Sequence, residues 1–254
     1  MKILHWNVNG LRAIIKKNVD EGITFFDFIN NVHPDIICLN ETKLSSEPDT
    51  ILKEYKYQYY SISSVRKGYS GVAILSKVEP IKRLNDFDDK EGRIICLEYS
   101  QFFIICVYVP HAGPKLKRIE FKTEWYENFY NKIKKIYETS NKEIIIASDF
   151  NCAIDDIDVF EPNKHKNHAG FTDIEKKDYS KLVSIGLYDP FRLRYPDRIE
   201  YSYFDYRTKA RERNRGWYID KFLVTSELTQ KVKNISILHD IYGSDHLPIL
   251  MEIE

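Results

Sequence analysis

Polar side chains that can bind metals or move protons stand at or beside the ends of several short apolar segments. In chain order they are Asn7, Asn9, Glu41, Asp149, Asn151, Asp220, Asp245 and His246. Carboxylates and amides without cysteine favour a hard, oxygen-binding cation such as Mg²⁺, which also binds substrate phosphate. A neighbouring Asp–His pair can supply acid–base chemistry, because the carboxylate fixes the tautomer of the imidazole.

Each of these positions, taken alone, has a simpler interpretation. A polar residue at the end of a strand often caps the adjoining loop. Asp245 and His246 in GSDHLPI, which are predicted to begin a core strand, could cap it in this way. Several such positions in one chain, including acids and a histidine, instead favour a shared site, since rigid strands commonly present functional groups in the loops beside them.

Composition sets the broad class of protein. The 254 residues are 43% hydrophobic, with 38 basic and 38 acidic residues, so a globally basic nucleic-acid binder is excluded although a local basic face is not. No run reaches membrane-span length, and the N-terminus lacks a signal-peptide core. The four cysteines are predicted to be small buried side chains in a reducing, cytoplasmic compartment. They are Cys38, Cys96, Cys106 and Cys152.

The elements that must position these groups are short strands alternating with a few helices. Apolar, β-branched runs such as KILHWNV, DIICLNET, FFIICVYVP and KEIIIASDF predict strands. Helices are predicted over GITFFDFINNV, from Ile119 to about Glu138, and from Thr172 to near Gly186, where Thr172 and Glu175 have capping-box spacing. The pattern predicts one α/β domain over residues 1–254, with packed sheets flanked by helices.

Longer motifs identify a resemblance. The matching stretches follow one another along the chain: WNVNGLRA, LNETK, KGYSGVAILS, EGR, YVPHAG, SDFNCA, HAGFT, KARERNRGWYIDKFLV and GSDHLPI. They resemble the exonuclease III family of class II AP endonucleases, within the DNase I-like phosphodiesterases. The resemblance implies a four-layer αββα sandwich of two mixed β-sheets flanked by helices.

The resemblance also implies roles at matching positions. Glu41 matches the main Mg²⁺ ligand, with Asn7 and Asp245 near the metal. Lys43 matches the lysine beside that acid and is expected to contact substrate. The implied catalytic set comprises Tyr108, Asp149, Asn151, Asp220 and His246. Tyr108 and Asn151 would hold the scissile phosphate, and Asp220 would orient His246. Whether Asp149 or His246 is the general base stays open.

DNA contacts are predicted from a basic loop and further matched loops. The segment 207–215 has basic residues at alternate positions: Arg207, Lys209, Arg211, Arg213 and Arg215. Such a loop is otherwise simply solvated, but here it precedes Trp217, and the contacts with DNA phosphate are expected from Arg207, Arg211 and Arg213. Further backbone contacts are expected from Arg12, Lys67 and Tyr69. The resemblance implies an apolar pocket for a flipped abasic sugar, built from Tyr203, Trp217 and Ile219, although core packing is the simpler role for Trp217.

Three positions depart from the pattern of the family. Tyr203 carries a hydroxyl where Phe or Trp is usual, and His111 and His168 replace Asn, Gln or small residues. His165 and His168 could be read as metal ligands, but flanking lysines favour contact with DNA phosphate or exposure to solvent. These departures leave open the balance between abasic incision and 3′-end processing.

The function implied is a Mg²⁺-dependent DNA-repair phosphodiesterase, with Mn²⁺ as a possible substitute, that cleaves duplex DNA 5′ to abasic sites and processes 3′ ends. Its expected partner is double-stranded DNA with abasic sites or blocked 3′ ends. The protein is expected to bind this DNA as a monomer and not to associate with a membrane. Alternatives are a 3′-5′ exonuclease and 3′-phosphatase with weak abasic incision, a small-molecule phosphatase, and a catalytically silent DNA-binding module. The last would require loss of a site residue.

Overall fold

The computed structural model describes residues 1–87 and 89–254. In those residues the strands are β1 (Lys2–Asn7), β2 (Asn18–Asp20), β3 (Ile23–Thr24), β4 (Ile36–Asn40), β5 (Tyr57–Ser61), β6 (Val72–Ser76), β7 (Lys82–Arg83), β8 (Ile94–Glu98), β9 (Phe102–Tyr108), β10 (Glu143–Asp149), β11 (Leu187–Tyr188), β12 (Asp220–Thr225), β13 (Val232–Ile237) and β14 (Ile249–Ile253). Their α-helices are α1 (Leu11–Ile14), α2 (Phe25–Val32), α3 (Ile119–Thr139), α4 (Pro162–His165), α5 (Asp173–Val183), α6 (Pro190–Arg194) and α7 (Ser226–Thr229).

Twelve of the described strands build two mixed, six-stranded sheets, and β2 and β3 pair in a separate two-stranded sheet. The first has the order β13-β14-β1-β4-β6-β5 and the second β11-β12-β10-β9-β8-β7. In the first sheet β1 and β4 run parallel, and in the second β9 and β10 run parallel. The other neighbouring strands are antiparallel. Each six-stranded sheet therefore has a central parallel pair whose carboxyl ends lie together.

The layers follow from strands that are apolar on both faces. Successive side chains of β1 point to opposite faces, so Ile3 enters the core between the sheets whereas Leu4 enters the core against α1 and α2. On the second sheet Ile145 faces the core between the sheets and Ile146 faces the core under α3 and α5. The predicted αββα sandwich is confirmed.

The predicted helices are also confirmed, with small changes of boundary. Thr24 caps α2 with Asp27 in a capping box, and His33 in left-handed conformation ends the helix before Pro34. Helix α3 ends one residue beyond the expected end, and α5 begins at the predicted capping box of Thr172 and Glu175. These ends are fixed by local side-chain chemistry, which explains why the sequence indicates them.

The expectation that Asp245 and His246 open a core strand is wrong. Strand β14 begins at Ile249, because the segment before it bonds across to the other sheet's loops: the amide of Leu247 donates to the carbonyl of Ser202 at 2.7 Å. The sequence patterns also did not indicate β5 and β13. These two strands lie at the edges of their sheet, where one side has no neighbouring strand, so their apolar pattern is weak.

The structure can be compared with the predictions about the cysteines and about membrane spans. In the described chain all four cysteines are buried and free, as expected. No helix among the described residues has the length and apolar character needed to span a membrane.

Candidate active site

The predicted catalytic and metal-binding groups meet at one end of the sandwich. Asn7 and Asn40 are register partners at the carboxyl ends of β1 and β4. Tyr108 and Asp149 are partners at the ends of β9 and β10, and Asp149 also lies opposite Asp220, the first residue of β12. Parallel pairing in both sheets thus brings residues that are distant in sequence to a common rim.

A chain of charged groups runs from Asp220 through His246 to Asp149. Asp220 Oδ2 lies 2.8 Å from His246 Nδ1 and also accepts a hydrogen bond of 2.7 Å from the hydroxyl of Ser202. His246 Nε2 lies 3.9 Å from Asp149 Oδ2, too far for a direct hydrogen bond. The amide of Asn7 donates to the same Asp149 oxygen at 2.9 Å. The imidazole is therefore oriented by one carboxylate and faces the other across a gap.

Burial and mutual charge shift the pKa values of this group. Burial alone would lower the pKa of His246, but the charges of Asp220 and Asp149 outweigh it and raise the pKa to about 10. Burial, followed by the charge of Asp220, raises the pKa of Asp149 to about 7, against the opposing charge of His246. His246 is therefore an imidazolium at neutral pH, and Asp149 has the near-neutral pKa that suits a general base.

Glu41 follows β4 and points into the same cleft. Lys43 Nζ lies 2.9 Å from one of its carboxylate oxygens, and the hydroxyl of Tyr108 donates to the other. Burial opposes ionisation of Glu41, but the ammonium of Lys43 and these hydrogen bonds lower its pKa below the usual value. Burial and the Glu41 charge raise the pKa of Tyr108, so its hydroxyl remains a donor. Glu41 is thus a preorganised carboxylate.

Several site residues have left-handed backbone conformation although none is glycine. Asn9, Glu41, Lys43 and Asn151 have φ values of 47°, 50°, 50° and 47°. Such a conformation costs roughly 1–2 kcal/mol for most side chains but less for Asn, so the cost falls mainly on Glu41 and Lys43. Strain of this kind collects at functional sites, where the surrounding structure enforces it.

Two sets of side chains are candidates for holding a metal ion, one found from the geometry and one predicted from the sequence. Among the described residues, ligand atoms of Asp149, Asp220 and His246 lie within 4.8 Å of one another, so this acidic group could hold a metal ion. The ring nitrogen Nδ1 of His246, however, is already engaged by Asp220. The set predicted from the sequence, Asn7, Glu41 and Asp245, offers oxygen donors only, which fits a hard cation better.

The predicted metal ligands are connected through Asn9. Its backbone amide donates to Asn7 Oδ1 at 3.0 Å, and its side-chain amide donates to Asp245 Oδ1 at 2.9 Å. Lys43 donates to the side-chain oxygen of Asn9. Supporting bonds of this kind orient metal ligands. Lys43, predicted to contact substrate, is here the counter-charge of Glu41.

An apolar pocket adjoins the charged chain. Trp217 and Tyr203 pack on a small cluster that includes Ile219 and Phe171, and the ring of Tyr203 lies 4.7 Å from the ring of His246. The whole cleft measures about 450 Å³. Its lining residues are Glu41, Tyr108, His111, Asp149, Asn151, His165, Ala169, Gly170, Tyr203, Asp205, Trp217, Ile219, Asp245 and His246. The three predicted pocket residues are therefore brought together beside the catalytic groups.

The histidines that depart from the family pattern occupy different places. His165 lines the cleft with its ring centroid 4.9 Å from that of Trp217, whereas His168 is exposed and lies 5.8 Å from His165. His111 lines the cleft and its Nδ1 accepts a hydrogen bond of 2.9 Å from the amide of Gly113. The structure thus gives His165, rather than His168, the contact with the pocket.

The basic loop before Trp217 holds its arginines unequally. Arg211 donates to the carbonyl of His239 and its guanidinium lies 3.7 Å from the centre of the Tyr242 ring. Arg213 donates to Thr208 inside the loop and is exposed. The side chain of Arg207 is 91% exposed, 3.6 Å from Asp205. Arg207 and Arg213 are therefore accessible, whereas Arg211 anchors the loop.

The remaining predicted DNA contacts are not among the residues that line the cleft. Lys67 is exposed, and exposed Arg12 lies 3.4 Å from the hydroxyl of Ser46. The hydroxyl of Tyr69 accepts hydrogen bonds from Arg93 at 2.9 Å and from Arg118 at 2.7 Å. Tyr69 is accordingly part of a bonded cluster rather than a free side chain.

Some supporting residues were not found from the sequence. Arg93 is 1% exposed, stacks on Tyr108 and donates to its carbonyl at 3.0 Å. Asn40 Oδ1 accepts the backbone amide of Asp149 at 2.8 Å and lies 3.0 Å from His5 Nε2. His5 lies within the apolar strand β1, and Asn40 ends the apolar strand β4. Burying a polar side chain in such a strand costs free energy unless the side chain forms hydrogen bonds, so these two residues could have been found from their apolar surroundings in the sequence.

Comparisons with known proteins agree with this geometry. Residues 4–246 match the Endonuclease/Exonuclease/phosphatase family. An exodeoxyribonuclease of Bacillus subtilis is 37% identical over 254 residues, covering 98% of this chain and 98% of that protein. An AP endonuclease structure from Archaeoglobus fulgidus matches with TM-score 0.85 and 28% identity, covering 100% of this chain and 99% of that chain.

A second similar structure is a complex with DNA. The 3′ phosphatase NExo from Neisseria, bound to a product DNA hairpin, matches with TM-score 0.84 and 25% identity, covering 100% of this chain and 99% of that chain. These similarities support the general assignment of this chain as a hydrolytic DNA-repair nuclease. The chain belongs to the endonuclease/exonuclease/phosphatase family, as an exonuclease III-type member of the DNase I-like superfamily.

Proposed function

We propose that residues 1–254 act as one catalytic domain that hydrolyses DNA phosphodiesters 5′ to abasic sites and also processes 3′ ends. The observation that carries this proposal is the gap of 3.9 Å between His246 Nε2 and Asp149 Oδ2, which opens onto a cleft with an apolar wall. A phosphate and a water molecule need charged groups on one side, and an abasic sugar needs an apolar surface on the other.

The catalytic roles follow from protonation and position. Asp149, with its near-neutral pKa, would orient and deprotonate the attacking water. The imidazolium of His246 would stabilise negative charge on a phosphate oxygen and is fixed by Asp220. Tyr108 and Asn151 line the cleft. Asn151 would donate to the phosphate with the amide hydrogen that its bond to the carbonyl of Val109 leaves, and Tyr108 would exchange its bond to Glu41 for one to the phosphate. No side chain needs to form a covalent intermediate in this arrangement.

A divalent cation, which we take to be Mg²⁺ with Mn²⁺ as a substitute, would be held by Glu41, Asn7 and Asp245. All three offer oxygen, and the network through Asn9 and Lys43 already orients them. When bound, such a cation would stabilise charge on the phosphate and the leaving oxygen. The residues present therefore fit a hard cation.

The substrate would be duplex DNA bound through the accessible side of the basic loop. Arg207 and Arg213 are exposed and would contact phosphates without reading bases. An abasic nucleotide lacks a base, so the wall of Trp217, Tyr203 and Ile219 would accept its sugar by shape. The protein would then act as an AP endonuclease, the activity that the Archaeoglobus relative is named for, and would do so as a monomer.

One specific contact favours a second candidate function. His165 packs against Trp217 at the mouth of the pocket, and Tyr203 adds a hydroxyl to its wall. Both groups narrow the space for a flipped sugar but leave the phosphate-binding side open. A 3′-5′ exonuclease and 3′-phosphatase with weak abasic incision would fit such a pocket, and the Neisseria relative is named a 3′ phosphatase.

A comparison of three duplexes separates these functions. The substrates carry an internal abasic analogue, a 3′-phosphate or a recessed normal 3′ end, and initial rates are measured with Mg²⁺ and with excess chelator. The proposal expects abasic incision that disappears with chelator. Absence of abasic incision with retained 3′-phosphate removal would instead establish the second candidate, and inactivity on all three would reject both.

In the same assay Trp217→Ala should reduce abasic incision by a larger factor than 3′-phosphate removal. The reason is that a terminal phosphate needs no extrahelical sugar, so it needs no apolar wall. Equal losses in a correctly folded variant would show that Trp217 is structural and that the pocket is wrongly assigned.

A further inference from the structure

An ion pair lies completely inside the protein behind the cleft. Lys122 of α3 and Glu175 of α5 are each 0% exposed, and Lys122 Nζ donates to Glu175 Oε1 at 2.7 Å. Burying two charges costs hydration free energy that their attraction offsets only in good geometry with the other donors and acceptors satisfied. Such a pair is therefore not explained by stability alone, and its further bonds indicate what it does.

Each member of the pair is bonded to a loop that lines the cleft. Lys122 Nζ also donates to the carbonyl of Asn151 at 2.9 Å. Glu175 Oε2 accepts the backbone amide of Gly170 at 2.8 Å and the hydroxyl of Thr172 at 2.9 Å. The pair thus links the loop after β10 to the loop before α5 through buried, charge-assisted bonds, which are stronger than neutral ones.

The two linked loops approach each other closely at Gly170. This residue has φ +89°, and a Cβ built there would lie 3.4 Å from the Trp217 ring and 3.5 Å from the carbonyl oxygen of Asn151. The carbonyl of Gly170 also accepts the amide of Ala153 at 2.9 Å. A shift of either loop would therefore change the distance between the phosphate-binding side chain of Asn151 and the wall formed by Trp217.

We propose that Lys122 and Glu175 are positioning residues that fix the separation of these two sides of the cleft and so select its substrate. Neither side chain touches the substrate. The part of the inference that concerns substrates rests on the proposed function, whereas the link between the loops does not. Loosening the pair should impair abasic incision, which needs both sides at once, more than removal of a 3′-phosphate, which needs only the phosphate side.

Hydrogen exchange tests the link without DNA. Variants Glu175→Gln and Lys122→Met, and the double variant Lys122→Met/Glu175→Gln, are compared with wild type by mass spectrometry. The amides of residues 151–153 and 168–172 should exchange roughly tenfold faster in the variants, while β9 and β10 stay protected. The double variant leaves no lone charge buried, so it serves if the single variants fold poorly.

Thr123→Val is the matched control. The hydroxyl of Thr123 donates to Asp178 at 2.9 Å and so joins the same two helices, but this bond does not reach the cleft. The control should leave exchange in both loops unchanged. If the loops exchange as in wild type in every variant of Lys122 and Glu175 as well, the proposed link is wrong.

Kinetics on the abasic and 3′-phosphate duplexes test the effect on substrate choice. The ratio of abasic incision to phosphate removal should fall roughly tenfold in folded variants, because an ångström of misplacement can cost about a hundredfold in rate. Faster exchange in the loops with an unchanged ratio would make the pair merely structural and overturn the proposal. A wild type inactive on DNA would reject the proposed function, and the exchange data would still decide the link.

Discussion

The charged chain at the strand ends and the basic loop at 206–215 differ in almost every physical respect. Asp149, Asp220 and His246 are 1%, 0% and 6% exposed and are held by bonds from both sheets. The loop consists of two short 3₁₀ turns, Tyr206–Thr208 and Arg211–Arg213, whose capping residues Lys209 and Asn214 are exposed. The chemistry proposed for this protein needs fixed geometry and is thus assigned to buried groups on the sheets, whereas the arginines proposed to contact DNA lie on an exposed loop.

This comparison predicts that substitutions in the two regions will fail in different ways. In the buried region a single lost group should remove turnover, since proton transfer and charge stabilisation depend on position. In the loop a lost arginine should weaken binding by a small, salt-dependent amount, since one phosphate contact is replaced by water and counterions.

The largest effect is expected at Asp149. Asp149→Asn keeps the volume but removes the base, so kcat should fall by roughly 10²–10⁴-fold. Ser148→Ala is a control on the same strand, because Ser148 is fully buried and its hydroxyl has no partner among the described residues. Single-turnover rates and thermal unfolding measured together check this. A variant that loses stability but keeps its specific activity would make Asp149 a strand cap.

Removal of His246 should be nearly as severe but should also reduce stability. His246→Ala leaves the Asp220 carboxylate buried without its cationic partner, and breaking a buried ion pair typically costs about 3–5 kcal/mol of unfolding free energy. Asp220 should therefore be replaced together with it, as Asp220→Asn/His246→Ala, to recover stability without activity. Recovery of activity in the double variant would contradict the role given to His246.

The next effect concerns Glu41 and the metal. Glu41→Gln should lower activity by about 10²-fold or more, since even indirect supports of metal ligands are worth about 10–100-fold. Binding of Mn²⁺ followed by electron paramagnetic resonance provides a readout independent of turnover, and the variant should bind Mn²⁺ more weakly. Full wild-type activity in excess chelator, or unchanged Mn²⁺ binding by the variant, would contradict the metal assignment.

A smaller effect is expected in the basic loop. Arg213→Ala should weaken DNA binding evenly across sequences and reduce the slope of log K against log salt by about 1. Arg211→Ala should lower the slope by a similar amount only if the arginine leaves Tyr242 to contact DNA; its main effect should be faster exchange in the loop. Fluorescence anisotropy at several salt concentrations measures the slope. Unchanged slopes for both variants would place the loop away from DNA.

The smallest effect is expected at Tyr203, where the two regions meet. Its ring packs on His246, so Tyr203→Phe keeps this contact and removes only the hydroxyl. If that hydroxyl narrows the pocket, abasic incision should rise by a few-fold, corresponding to about 1 kcal/mol, while 3′-phosphate removal stays constant. A fall in both activities would assign the hydroxyl a supporting role instead.

Local patterns determined much of the fold and the identity of the site residues. Short-range apolar periodicity sets the strand that ends at Asp149, and capping chemistry sets the helix that begins after Thr172. Both signals can be recognised in the sequence alone. The motifs carrying Glu41 and His246 gave the family, and both residues line one cleft in the structure.

Only the tertiary structure decided which strand ends meet and how they are supported. Lys122 stands among charged residues on α3 and reads as exposed, yet it is 0% exposed because Glu175 reaches it from another helix. His165 is separated from Trp217 by about fifty positions but packs on its ring. The physical reason is that burial and pairing between distant segments depend on how two sheets pack, and no local pattern encodes that packing.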